Sequence, residues 1–191
     1  MLDIGANADC KEKFLIQFAK MGRTYMRLIE GIENPTVGLV NIGTEEEKGN
    51  ELYRKVNKLM REEKTLNFVG NIEPREALIG VADVLVCDGF TGNILLKTLE
   101  GIATYLFKNI KEELYRNILT KLAAAVLKKG LKNVKSKLDH REYGGTPLLG
   151  ANGCIIKAHG SCDAYSFMKA IEQAKKYLDK DITNVIRDTV E

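Results

Sequence analysis

The chain has 191 residues, of which 45% are hydrophobic and 29% are charged, and its formal net charge is +3. This length suits one domain or two small lobes with a self-sufficient core, and the composition excludes a disordered chain. With only 3 prolines and 7% aromatic residues, an all-β sandwich is disfavoured. Neither a long apolar run nor a signal-peptide pattern is present, so we expect a cytoplasmic protein.

Short apolar runs alternate with helical patterns along the chain. The predicted strands cover residues 1–4, 37–42, 66–69, 83–87 and 154–158. The predicted helices cover residues 12–29, 45–63 and 75–81, a long stretch from about 93, and a last stretch from about 162 to 177. This order predicts an α/β fold with a parallel sheet, whose strands end at one common ligand-binding edge.

The four cysteines show no CxxC pair and no histidine at ligand spacing. They therefore predict neither a disulfide framework nor a zinc site, and we expect reduced, buried thiols and no metal.

The segment NIGTEEEKGN begins the second predicted helix. Thr44 followed by Glu47 forms a capping-box pattern, which predicts that this helix begins directly after Thr44. Lys48 would then lie one turn into the helix, at the ligand-binding edge, where its ammonium would reach a bound anion. A solvated lysine, or one paired with Glu45, is the commoner alternative.

The segment DGFTGN at residues 88–93 joins the strand ADVLVC to a long helix. Its glycines, Gly89 and Gly92, are placed where backbone N–H groups approach an anion at a helix N-terminus, although a tightly packed capped turn explains them equally well. Asn93 is either a donor to a developing oxyanion or a helix cap, and Asp88 either orients a donor or stabilises the turn. No dinucleotide or Walker motif is present.

His159 and Ser161 follow the last predicted strand. His159 is a candidate acid or base by its position. Ser161 is expected to cap the final helix rather than to form a catalytic pair with His159, since there is no GxSxG elbow.

Residues 108–141 hold ten Lys or Arg against three acidic residues, so this segment carries +7 and the remainder −4. Within it, apolar residues recur at near-helical spacing between lysines, which predicts a basic amphipathic helix. Packing within its own domain or against a second subunit is one interpretation, and contact with an anionic membrane surface is the other. The residues expected at such a contact are Leu122, Ala123, Val126 and Leu127.

Five blocks occur in the order LDIGAN, VGLVNIGTEEEKGN, DVLVCDGFTGNILLKTLEG, EYGGTPLLG and IIKAHGS. Together they resemble the bacterial phosphate acyltransferase family of phospholipid synthesis, over nearly the whole chain. The resemblance implies an enzyme that forms acyl phosphate from acyl-acyl-carrier-protein and inorganic phosphate, with no cofactor and no nucleic-acid partner.

The resemblance also implies a three-layer α/β/α sandwich with a mostly parallel sheet, similar to isocitrate and isopropylmalate dehydrogenases. It implies a homodimer with the site near the subunit interface. A protruding basic helical hairpin, here residues 104–138, would contact membrane lipid on the inner face of the membrane.

The resemblance assigns catalytic roles to two residues, Lys48 and Asn93. Phosphate would attack the thioester carbonyl directly, while Lys48 neutralises negative charge and Asn93 donates to the oxyanion. The further residues expected to bind substrate are Gly43, Asp88, Gly89, Thr91, Gly92 and His159.

Family members carry a long N-terminal region with a glycine-rich block that has no counterpart here. We therefore expect residues 1–191 to be a single α/β domain, the C-terminal part of a longer enzyme, with weak or no turnover alone. Two alternatives are a metal- and nicotinamide-dependent decarboxylating dehydrogenase of the same fold and a non-catalytic module that binds membrane or carrier protein. The chain shows neither the clustered aspartates nor the cofactor loop of the dehydrogenase.

Overall fold

The computed structural model describes residues 1–137, 144–158, 160 and 162–190. The helices are α1 (Glu12–Ile29), α2 (Glu51–Glu62), α3 (Gly89–Leu114), α4 (Ile118–Lys137), α5 (Ala164–Asp179) and α6 (Ile182–Val190). The strands are β1 (Thr36–Val40), β2 (Asn67–Ile72), β3 (Val84–Val86), β4 (Gly145–Pro147) and β5 (Ile156–Ala158), and a 3₁₀ turn covers Pro74–Glu76.

The chain folds into two compact units. The first comprises Met1–Leu95, Pro147–Ile155 and Ala174–Glu191, and the second comprises Leu96–Thr146 and Ile156–Gln173. The single domain with an inserted hairpin over residues 104–138 stays a prediction.

The first unit is built on a parallel sheet with the strand order β2-β1-β3. Leu2 adds a parallel bridge to Val86 at the β3 edge. The smaller sheet pairs β4 with β5. The expected α/β class with a mostly parallel sheet is thus confirmed, whereas the three-layer sandwich remains a prediction.

The two faces of the parallel sheet bury alternate residues of each strand, as the pleat requires. On one face, helices α1 and α2 pack on the sheet through Leu15, Ala19, Val37, Leu39, Tyr53, Val56, Met60, Val84 and Val86. The other face is smaller and buries Val40, Ile72, Leu85 and Cys87, with Ala77, Ala82 and Leu95 packed against them. The buried residues on both faces of the sheet therefore extend to the carboxyl ends of the strands.

Helix α2 begins later than predicted, so the capping box at Thr44 is wrong. The N-cap is Asn50, whose side chain accepts a 3.0 Å hydrogen bond from the Tyr53 amide. The preceding carbonyls of Glu45 and Lys48 are bound by asparagine side chains, and Gly49 has a φ of +93°. Because these carbonyls and this φ do not fit an α-helix, Lys48 lies on a loop rather than one turn into a helix.

Other boundaries also differ from the predicted ones. The strand predicted at residues 1–4 is reduced to the Leu2 bridge, and the helix predicted at 75–81 is reduced to Pro74–Glu76. Helix α3 begins at Gly89, ahead of the predicted start near Asn93. Helix α6 was absent from the predicted elements, although it packs on α1.

All four cysteines are free, but only Cys87 is buried. Cys10, Cys154 and Cys162 are partly exposed, so the expectation of buried thiols is wrong for these three.

Gly92 provides a stability test, because helix α3 passes close to the chain at Asp3. A Cβ at Gly92 would overlap the Asp3 carbonyl oxygen, whereas a Cβ at Gly101 of the same helix meets nothing within 4 Å. We expect Gly92→Ala to lower the free energy of unfolding in urea by at least about 2 kcal/mol, through overpacking. Gly101→Ala should raise it by up to about 1 kcal/mol, because alanine favours helix. Equal effects of the two substitutions would contradict this packing.

Candidate functional site

Three loops meet the carboxyl edge of the parallel sheet. The first follows the Leu2 bridge, the second follows β1 and carries Lys48, and the third follows β3 and opens helix α3 at Asp88. In an open parallel sheet this edge is where ligands bind.

Asp88 is the N-cap of α3. Its Oδ1 accepts a 2.7 Å hydrogen bond from the Thr91 amide, and its Oδ2 accepts a 3.0 Å bond from the Thr91 hydroxyl. Asp88 and Thr91 are therefore brought together as a helix-capping pair, and the predicted turn-stabilising role of Asp88 is confirmed.

Tyr53 connects α2 to this cap. Its hydroxyl donates to Asp88 Oδ2 at 2.6 Å and accepts from the Asp88 amide at 3.1 Å. The side chain is only 6% exposed. Burial, followed by the hydrogen bond to the Asp88 carboxylate, raises the pKa of Tyr53, so the hydroxyl keeps the proton that it donates.

The amides of Gly89 and Gly92 are not free for an anion, so that part of the prediction is wrong. The Gly89 amide donates to the Asn7 carbonyl at 2.8 Å, and the Gly92 amide donates to the Asp88 carbonyl at 3.0 Å. Both glycines are buried. They let α3 pack closely, and an anion at this edge must instead be bound by side chains or other amides.

Asp3 shapes the loop that faces α3. Its carboxylate accepts hydrogen bonds from the amides of Gly5, Ala6 and Asn7 at 2.7 to 2.9 Å and from the Asn7 side chain at 2.9 Å. Burial raises the pKa of Asp3, but these hydrogen bonds outweigh it and hold the pKa below its usual value. The loop is therefore fixed by a buried, ionised carboxylate.

Asn93 lies against this loop. A Cβ added at Gly5 would lie 3.3 Å from Asn93 Oδ1 and 3.4 Å from Asn93 Cβ, so the bare Gly5 backbone makes room for the side chain. Asn93 is exposed, and its amide has no hydrogen bond to any residue within the described part of the chain. It lies inside helix α3, so it is not the helix cap, and its amide is available to a ligand.

Lys48 is also exposed, and its alkyl chain packs on Gly43. A Cβ at Gly43 would lie 3.0 Å from Lys48 Cγ. The Lys48 carbonyl accepts a 3.1 Å hydrogen bond from the buried side chain of Asn41, which fixes the backbone. Over the described residues the ammonium makes no ion pair, and the alternative pairing with Glu45 is wrong.

A series of hydrogen bonds between side chains, here called the amide relay, also holds the loop that carries Lys48. Arg61 Nε donates to Asn57 at 3.0 Å, Asn57 donates to Asn71 at 2.8 Å, and Asn71 donates to the Glu45 carbonyl at 2.7 Å. Arg61 also pairs with Glu46 at 3.1 Å. Sequence reasoning missed this relay and Tyr53, since neither has a motif. Asp3 had a weak signal, an aspartate placed two residues before a glycine.

The remaining predicted residues belong to the second unit or are not among the described residues. His159 and Ser161 lie outside the described residues. The N-cap of α5 is Asp163, whose Oδ1 accepts a 2.8 Å bond from the Ser166 amide.

The residues predicted to contact a membrane or a second subunit lie on α4, in the second unit. Leu122 and Val126 are 62% and 84% exposed, and Ala123 and Leu127 are exposed too. Among the described helices, none has the length and apolar character needed to cross a membrane.

The parallel sheet and its edge loops define an α/β protein with a candidate ligand site at the carboxyl ends of the strands. Residues 1–185 match the family described as "Fatty acid synthesis protein". The chain belongs to this family.

Curated relatives carry the name "Phosphate acyltransferase". A protein of Clostridium perfringens (strain SM101 / Type A) is 49% identical over 190 residues, which cover 100% of this chain and 56% of the relative. A protein of Clostridium beijerinckii is 49% identical over 189 residues, covering 98% of this chain and 57% of the relative. One from Clostridium botulinum (strain Loch Maree / Type A3) is 50% identical over 190 residues, covering 100% and 56%. The chain thus spans about half the length of these relatives.

The pH dependence of stability tests whether Asp3 is ionised in the folded protein. A lowered folded-state pKa contributes stability above the unfolded pKa of about 4, and this contribution is lost as pH falls through the folded value. We expect Asp3→Asn to lower the free energy of unfolding at neutral pH by about 2 kcal/mol, because it disrupts buried hydrogen bonds to a charged group. Below a pH of about 4, the stability of the variant should fall less steeply with acid than that of the wild type.

Urea titrations across this pH range measure both effects. Asp179→Asn is the matched control, because Asp179 is exposed near the end of α5 and should change neither quantity. An unchanged acid slope in Asp3→Asn would contradict an ionised Asp3 in the folded state.

Proposed function

We propose that this chain carries the acyl-transfer site of an enzyme that forms acyl phosphate from acyl-acyl-carrier-protein and inorganic phosphate. The observation that carries the proposal is that two exposed side chains at the ligand-binding edge, the Lys48 ammonium on a loop and the Asn93 carboxamide near the start of α3, have no ion pair or hydrogen bond with any described residue. The name of the relatives supports the same reaction class.

The reaction needs one bond formed and one broken. An oxygen of hydrogen phosphate attacks the thioester carbonyl, the new C–O bond forms, and the C–S bond breaks. The proton of hydrogen phosphate passes to the departing sulfur, so the products are acyl phosphate and the free thiol of the carrier protein. No covalent enzyme intermediate is required.

Each residue has a separate role in this proposal. Lys48 compensates the charge of the incoming phosphate, which otherwise opposes attack within a site that also contains Asp88. Asn93 donates its amide N–H to the carbonyl oxygen as negative charge develops there, a contribution that is stronger in the transition state than in the ground state.

The finer architecture is part of the same proposal. We assign the chain to a three-layer α/β/α sandwich similar to isocitrate and isopropylmalate dehydrogenases, and to a homodimer with its site near the subunit interface. The dehydrogenase reaction of that fold is disfavoured, because the sequence has no cofactor loop.

Substitution of the two residues tests the proposal. Acyl phosphate is trapped with hydroxylamine. Phosphate binding is followed separately by ³¹P NMR, because a binding measurement needs no turnover and the chain spans only 56% of a relative's length. Lys48→Ala should weaken phosphate binding roughly tenfold, which corresponds to about 1.4 kcal/mol. Asn93→Ala should leave phosphate binding unchanged. When residues 1–191 are joined to the segment that the relatives have in addition, the same substitution should lower kcat by roughly 10²–10³, the loss typical of one oxyanion donor.

Lys58→Ala is the matched control for charge. Lys58 is exposed on α2 and has no ion pair with any described residue, so its substitution should change neither measurement. Wild-type phosphate binding by Lys48→Ala would remove Lys48 from the site. Wild-type kcat in Asn93→Ala would remove the oxyanion role.

A membrane-binding role is a second candidate, favoured by the surface of α4. At 100° per residue, Leu119, Leu122, Val126 and Leu127 share one side of the helix, and Lys121, Lys128 and Lys132 lie on the other. Lys129 flanks the apolar side next to Leu122. The apolar side chains named are between 54% and 84% exposed. An apolar stripe opposite a basic one suits a helix that lies in the surface of an anionic membrane.

Flotation with phosphatidylglycerol vesicles tests this role. Val126→Glu places a charge in the apolar stripe and should reduce vesicle binding severalfold, because a carboxylate resists transfer out of water. Leu178→Glu is the matched control, since Leu178 is 64% exposed but lies on α5. Binding that survives Val126→Glu, or that is lost equally in both variants, would contradict a membrane role for α4.

A further inference from the structure

A groove opens in the first unit beside the helix cap at Asp88. It has a volume of about 580 Å³, within the range of roughly 300–1,000 Å³ typical of small-molecule sites. Its walls are the chain around Cys10, the start of α2 and the start of α3. The apolar lining comes from Ala8, Cys10, Leu52 and Phe90.

The charge of the groove disfavours phosphate. Among the described residues, no lysine, arginine or histidine lines it, whereas Asp9 and Asp88 do. Two carboxylates repel an anion, and Asp88 is already occupied by Thr91 and Tyr53. A ligand with both apolar and neutral hydrogen-bonding groups fits this lining better than an ion does.

Asn93 does not line the groove but lies close to Phe90, which does. Phe90 lines the groove, and Asn93 follows three residues later on the same helix. Residues at this spacing are neighbours on a helix surface, with Cβ atoms about 5–6 Å apart. To reach the Asn93 amide, a ligand in the groove has to extend beyond the lining, over Phe90.

From this lining and the position of Asn93 we propose that the groove binds the pantetheine arm of the acyl donor. This inference rests on the acyl transfer proposed above. The arm is an extended, uncharged chain of methyl, hydroxyl and amide groups that ends in the thioester. Bound in the groove, it places the thioester carbonyl at Asn93, while phosphate approaches from Lys48, outside the acidic lining.

Cys10 reports occupancy without any need for turnover. Its thiol lines the groove and is partly exposed, so a bound ligand should slow its alkylation. Cys162 is partly exposed and does not line the groove, which makes it an internal reference. The chain is treated with a maleimide at alkaline pH, with and without S-methylpantetheine, which has no free thiol, and each cysteine is quantified by peptide mass spectrometry.

We expect S-methylpantetheine, at ten times its Kd, to slow alkylation of Cys10 by roughly tenfold, since only free protein reacts. Cys162 should react at an unchanged rate. Inorganic phosphate at matched ionic strength should give no protection at Cys10. Protection by phosphate, or no protection by S-methylpantetheine up to its solubility limit, would overturn the proposal.

The second measurement uses variants in which a large side chain fills the groove. Ala8→Trp should abolish the protection by S-methylpantetheine, whereas Ala151→Trp, in a different cavity of the same unit, should retain it. Matching circular dichroism spectra establish that both variants are folded, and retained protection in Ala8→Trp would contradict the assignment. If acyl phosphate forms but Cys10 is never protected, only the assignment of the groove is contradicted. If Cys10 is protected but no phosphate-dependent acyl transfer occurs, only the proposed function is contradicted.

Discussion

The carboxylate of Asp88 is the constraint on which the candidate site depends. It closes the N-terminus of α3 through Thr91 and accepts the hydroxyl of Tyr53 from α2. A half-buried carboxylate is stable only when its oxygens are hydrogen-bonded, and here the partners come from two different helices. Any ligand geometry at this edge therefore depends on the relative placement of α2 and α3, which this carboxylate fixes.

The same internal bonding decides which groups remain for a ligand. The amides of Gly89 and Gly92, and those held by Asp3, are used within the protein. With the amides of Gly89, Thr91 and Gly92 bound within the protein, this helix N-terminus has fewer donors for a phosphate, despite its favourable dipole. The side chains of Lys48 and Asn93, in contrast, have no hydrogen bond or ion pair with any residue in the described part of the chain. The site thus combines a rigid frame with exposed functional groups.

The fold was largely predictable because alternation of apolar runs and helical periods is a local property of the sequence. The site was less so. Lys48 and Asn93 were candidates from their own segments, and only the family resemblance gave them catalytic roles, which stay a prediction. The helix expected around Lys48 does not form, because the side chains of Asn41, directly after β1, and of Asn71 in β2 bind its backbone carbonyls. A local capping pattern does not show that side chains from elsewhere in the fold will bind the carbonyls that a helix would use. Tyr53 was missed for the same reason, since its partner lies 35 residues away.

The exposure of Lys48 and Asn93 determines how they can act. A unit charge pair 4 Å apart interacts by about 1 kcal/mol in water but by about 4 kcal/mol at an effective dielectric constant near 20. An ammonium and an amide that both face solvent therefore stabilise a transition state weakly until water is displaced. A neutral ligand arm lying past Phe90 would cover Asn93 and exclude that water. In the proposed reaction the donor itself would lower the local dielectric, so that the two groups would reach full strength only once both substrates were bound.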